Sequence, residues 1–210
     1  MTGAGSASPS PAPSPTQGLR TIVTVKSTPY CTALAQHFNS ALVPMLANDR
    51  IFTAVDVQLD EMNDMFDHPD YVDRFIKLRT KLIAETGQLE SSLRPIQQQI
   101  DQLREASALS TDPQAIQQMK DAASQLQDAY KHQFQLSTDL TGLAQSMMQY
   151  NIFAGNHPLG GWTPYENTLP EDEKNIKVYL HFDQQRTSIG TAENNAVDVA
   201  YDIAENRCTK

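Results

Sequence analysis

One run of side chains stands out for the chemistry it could do. Asp56, Asp60, Glu61, Asp64, Asp67, Asp70 and Asp73 follow one another closely, with His68 among them. On a helix Asp56, Asp60 and Asp64 share one stripe, since residues four apart are neighbours. Carboxylates with an imidazole are a donor set for a divalent cation. A second group, Asn156, His157, Trp162 and Tyr165, sets aromatic rings beside polar atoms. That mixture suits a small-ligand pocket or a partner anchor. Brought together, the two groups would make a site of Asp64, Asp67, His68, Asp70, His157, Trp162 and Tyr165.

Blander readings compete with this one. An acidic stripe is commonly a solvated helix face, and Arg74, Lys77 and Lys81 stand near enough to offset part of its charge. The Trp162 loop can simply cap the open end of a core. His37 and His132 flank apolar seams and read as boundary residues. No Walker loop, GxGxxG, HExxH, GxSxG or EF-hand loop is present. No cofactor and no catalytic residue is therefore assigned. Three functions stay open: an exported, non-enzymatic interaction or scaffold protein; a module binding a small ligand or divalent cation; and a hydrolase-type enzyme using His157, His68 and nearby carboxylates.

Charge narrows the field. The 210 residues carry 25 acids against 16 Lys and Arg, a formal charge of −9. Nucleic-acid binding needs the opposite balance, because cations must replace the phosphate counterions. Residues 51–69 alone hold five acids and no Lys or Arg. No apolar run is long enough for a transmembrane helix.

The elements that would position these residues are helical. Cys31, Phe38, Met45, Phe52, Leu59 and Phe66 recur every seven residues. Leu34, Ala41, Asn48, Val55 and Met62 complete the seam, with Asn48 its one polar member. The spacing predicts a helix over about 29–66, running through Pro44 in unbroken phase. A second seam (Phe75, Leu82, Leu89, Ile96, Leu103) predicts a helix over about 70–108. Ser110-Thr111-Asp112-Pro113 reads as a turn and helix start. A third helix, about 113–150, carries Met119, Leu126, Gln133, Leu140 and Met147. Short turns make neighbours antiparallel, so the expectation is an elongated three-helix bundle about 57 Å long. Its faces are rich in glutamine (Gln97, Gln98, Gln99, Gln102, Gln117, Gln118, Gln125, Gln127). Those faces read as solvated, or else as an oligomerisation surface.

Beyond residue 150 the pattern changes. Ile176, Val178, Leu180 and Phe182 alternate with polar residues, which predicts a strand over 175–182. A lone strand needs a partner, and Thr21–Lys26 is the best available. A final short helix is expected over 191–206, with Ala192, Ala196, Val199, Ala200 and Ile203 inward. The whole forms a single domain over 19–210. Residues 1–18, Pro- and Ser-rich and without charged side chains, read as a disordered tether.

Two cysteines remain, Cys31 and Cys208. They are either unrelated buried thiols or one disulfide fastening the returning tail. A bridge implies an oxidising compartment. With the tether, it points to an extracytoplasmic protein whose signal peptide has been removed. Such a protein would have a protein partner, and its arm would give a membrane tethering point.

Overall fold

The computed structural model describes residues 21–24, 26–65, 68–149 and 180–209. Four α-helices account for nearly all of them: α1 (Pro29–Met65), α2 (Tyr71–Glu105), α3 (Pro113–Gln149) and α4 (Phe182–Arg207). One 3₁₀ turn, Ala106–Leu109, follows α2. The heptads explain the first three. Every described member of the first seam is buried, from Cys31 to Met62. Pro44 lies inside α1 without ending it. The seam residues on either side, Ala41 and Met45, are both fully buried.

Local signals set the helix starts. The Thr28 hydroxyl accepts the Cys31 N–H at 3.2 Å, and the Asp112 carboxylate accepts the Gln114 N–H at 2.9 Å. Each takes up a donor that the first helical turn would otherwise leave unpaired.

Side-chain pairs fix the directions. Tyr30 donates to the Ala115 carbonyl and Asn48 to Gln133, the same sequence offset of 85 in both cases. α1 and α3 therefore run parallel. Against α1, α2 runs the other way: His37 meets Gln99, while the later Gln58 meets the earlier Glu85. α4 is antiparallel to α3, with Gln185 on Asp139 and Arg207 on Gln118. The result is an up-down-up-down four-helix bundle.

This corrects the expected C-terminal return in two ways. Among the described residues there is no strand. Leu180 and His181 form a turn, with His181 left-handed at φ 49°, and Phe182 already opens a helix. Residues 175–179 of the expected strand lie outside the described residues. Thr21–Lys26 is held by other partners. The Asn39 amide imitates a strand neighbour, accepting the Ile22 N–H at 2.8 Å and donating to the Ile22 carbonyl at 2.9 Å. The Lys26 N–H reaches the Cys208 carbonyl at 2.9 Å.

The fourth helix also begins nine residues before the expected 191. Phe182, Ile189, Ala196 and Ile203 continue a seven-residue seam straight through Gly190, and all four are buried. With α4 in place, α3 must bury a wider face, so Ala123 and Ala144 are buried beside its expected seams.

Cys31 and Cys208 form a disulfide, Cα atoms 5.7 Å apart across 177 residues of sequence. Around it the near end of the bundle is stapled repeatedly. The Lys26 ammonium donates to the Arg207 carbonyl, and the Arg207 guanidinium holds the Asp112 carboxylate at 2.6 Å and also donates to Gln118. On the chain-entropy model a loop this long contributes about 5 kcal/mol. Cys31→Ser, or reduction of the wild type, is expected to lower the urea midpoint by a stability loss of about 2–5 kcal/mol. Equal denaturation curves with and without reductant would contradict that contribution.

Candidate functional site

Two regions of the bundle carry unusual polar or aromatic placement. The first lies in its centre. Two apolar clusters fill the core, one bounded by Met45, Leu93, Ala129 and Ala192, the other by Phe52, Leu89, Leu136 and Ile189. Between them sits one polar residue from each helix: Asn48, Ser92, Gln133 and Glu193. Asn48, Gln133 and Glu193 are 1%, 0% and 4% exposed.

Their hydrogen bonds form a directed chain. The Ser92 hydroxyl donates to Asn48 Oδ1 at 2.6 Å, and Asn48 Nδ2 donates to Gln133 Oε1 at 2.9 Å. Gln133 Nε2 then donates to Glu193 Oε1 at 2.8 Å and to the Met45 carbonyl at 3.0 Å. The Glu193 carboxyl in turn bonds the Asp49 carboxylate. Donors all point the same way, ending on a carboxylate, so each bond polarises the next.

Two carboxyl groups in contact must share a proton. Burial pushes the Glu193 carboxyl up to about 9, with the Asp49 charge adding to the effect. Burial also raises Asp49, while its bond to Glu193 and the Arg186 guanidinium act against the rise. Arg186 itself is committed to Asp56 at 3.0 Å and to the Thr53 hydroxyl at 3.0 Å. Glu193 thus stands as a neutral acid at neutral pH.

The second region is a groove of about 1100 Å³ along α2 and α3. Glu90, Arg94, Gln98 and Gln102 line it from α2, and Tyr130, Phe134, Thr138 and Gln145 from α3. Tyr130 and Phe134 stack one helical turn apart, ring centroids 6.0 Å apart and planes inclined by 27°. Phe134 is 53% exposed, the most open aromatic ring among the described residues. Below it Gln97 and Gln127 clasp each other through two amide bonds, 3.0 and 2.9 Å.

Some expected site residues fall elsewhere. Asp67, His157, Trp162 and Tyr165 lie outside the described residues, as does the Asp64 side chain, although its backbone belongs to α1. His68 and Asp70 lie in the turn between α1 and α2, both exposed. The Asp70 carboxylate accepts from Arg74 Nε at 2.9 Å, and that bond holds its carboxyl below the usual range. Asp56, from the same acidic run, pairs with Arg186 of α4 instead. Among the described residues no group of three or more His, Cys, Asp or Glu is placed to hold a metal ion. No helix among them is long and apolar enough to cross a membrane.

Asn48 and Gln133 were visible as polar members of apolar seams. Glu193 was not, although it lies within the expected helix 191–206 three residues before Ala196, because a carboxylate beside an alanine face reads as solvated. The glutamine faces prove mixed: Gln97, Gln127, Gln118 and Gln99 bridge between helices.

No family model, no curated protein and no solved structure matches this chain.

Removing one partner from a buried chain leaves the other polar group desolvated. Asn48→Leu is therefore expected to cost about 1–3 kcal/mol in urea unfolding, and Gln133→Leu a similar amount. The double variant is expected to cost less than the two losses combined, since their mutual bond is counted once. Strict additivity would show that the layer is not a connected network.

Proposed function

We propose that the chain is an exported, non-enzymatic interaction or scaffold module, which presents the α2–α3 groove to a protein partner. The observation that carries this reading is the exposed Phe134 ring, stacked on the half-buried Tyr130 within that groove. A half-exposed ring on an otherwise largely polar and charged face is apolar surface that a partner would bury with gain. Aromatic side chains are also the commonest energetic anchors of interfaces. Elsewhere along the helices the seams are consumed by the core, and the central polar residues are bonded to one another.

Export is supported by the Cys31–Cys208 bridge, since such bonds persist in oxidising compartments. The Pro- and Ser-rich residues 1–18 have the composition of a spacer. Together these features suit a rod displayed at a distance from its attachment.

Phe134→Asp is the informative substitution, because its ring contributes little to the core. Tagged wild type and the variant are to be compared as baits in a native envelope or secreted fraction. A protein recovered with wild type should be lost, or reduced at least about tenfold, with Phe134→Asp, a change of about 1.4 kcal/mol. The melting temperature should not move. Equal recovery by the two baits would remove the groove from the interaction.

A further inference from the structure

We propose that the contact between the Glu193 and Asp49 carboxyl groups is a proton-closed latch, which fastens α4 to α1 and α3 and makes the bundle tighten as its surroundings become more acidic. The geometry comes first. Glu193 is 4% exposed, and one of its oxygens is already filled by the Gln133 amide at 2.8 Å. Its carboxyl group also meets Asp49, so the contact is attractive only while a proton sits between them.

Among the described residues the cation that acts on this pair is Arg186, and it acts on Asp49. The groups facing Glu193 from the other helices are Asp49 from α1 and the uncharged Gln133 from α3, which leads on to Asn48 and Ser92. Lys131 and His132, next to Gln133, are both exposed, as is Arg50 beside Asp49. On α4 itself Arg186 is the nearest base, and its guanidinium is taken by Asp56 and Thr53. Asp139, also near this part of α4, is occupied with Gln185.

The sign follows from proton linkage. Glu193 binds its proton more tightly folded, up to about 9, than the 4.5 of an unperturbed carboxyl. Its contribution is complete below that lower value and is lost as pH rises towards the upper one. Across this window the unfolding constant changes by up to about tenfold per pH unit. The raised value of Asp49 acts in the same direction. The paired acids whose carboxyls are lowered, Asp70 and Asp112, oppose it only at the acidic limit, since they titrate below the ordinary carboxylate range.

Location gives the latch leverage. Cys208 pins the last residues of α4 covalently to α1. The other half, Phe182 to Glu193, is held by noncovalent contacts, with Phe182 and Ile189 in the distal cluster. Deprotonation at Glu193 therefore loosens α4 from its N-terminal half and leaves the bridged end in place.

The test uses the full, disulfide-intact chain. Urea unfolding of wild type between about pH 5 and about pH 8 should show stability falling as pH rises, by up to tenfold in the unfolding constant per unit. Glu193→Gln keeps the shape and can donate to Asp49 without a titrating proton, so its profile should flatten. Asp49→Asn removes the neighbouring charge and should flatten it in part. Hydrogen exchange across residues 182–196, corrected for the intrinsic effect of pH, should quicken towards alkaline pH in wild type alone. Infrared spectra at neutral pH should show a protonated carboxyl band that Glu193→Gln lacks. A wild-type profile without this slope, or a slope that survives unchanged in Glu193→Gln, would overturn the latch.

Discussion

Burying a polar group is costly unless every hydrogen-bonding atom finds a partner, and a four-helix core has few places where that can happen. Among the described residues the most connected such place is the level where Asn48, Ser92, Gln133 and Glu193 converge. Apolar seams specify a heptad shift less sharply, because a seven-residue repeat brings another apolar residue to each position after the shift. An amide chain does not tolerate it. Sliding any helix by one turn would separate Ser92 from Asn48, Asn48 from Gln133, or Gln133 from Glu193, and strand their polar atoms in the interior. The layer therefore fixes the register of all four helices at once, and the apolar clusters on either side inherit it. Buried polar residues serve a similar role at single core positions of coiled coils.

That constraint also orders the rest of the molecule. With the register set at the middle, the offset of 85 residues between α1 and α3 holds from Tyr30 to Asn48. The same register brings Arg207 onto Asp112 and Cys208 onto Cys31 at the near end. On the other side of the layer it carries Arg186 to Asp56. The α2–α3 groove is a by-product of the same arrangement. The inward faces of α2 and α3 meet the core, and Phe134, stacked on the half-buried Tyr130, is left in the groove between their outer faces.

How much of this could be read from residues alone depended on the length of the repeat available. α1, α2 and α3 each show five or more heptad positions, and their bounds are legible to within a few residues. The bridge between Cys31 and Cys208 is one of two readings that the sequence leaves open, because cysteine spacing alone does not tell a bridge from two buried thiols. α4 was only half legible. The alternation that ends in Leu180 and Phe182 reads as a strand, yet Leu180 lies in a turn and Phe182 opens the helix, because alternation over a few residues looks the same whether it ends in a sheet or in a turn feeding a helix. Gly190 and the polar residues 183–188 hid the seam from Phe182 to Ile189. Glu193 shares the inward face of Ala196 and Ala200, but a lone carboxylate is read as solvated until a buried partner such as Gln133 is seen beside it. The aromatic groove was hidden for a different reason: Tyr130 and Phe134 are four apart on a polar face, a pattern that becomes a surface only when α2 lies alongside.

The covalent link near the two ends of the fold has a mechanical consequence. Any pull transmitted between the chain before Thr21 and the chain after Cys208 enters the structure at the same end of the rod. It passes through the sulfur–sulfur bond, leaving the four helices outside the line of force. A rod built this way does not unravel from its termini under load. Its length of about 56 Å, the span of a 37-residue helix, projects beyond the loaded point as an unstressed arm.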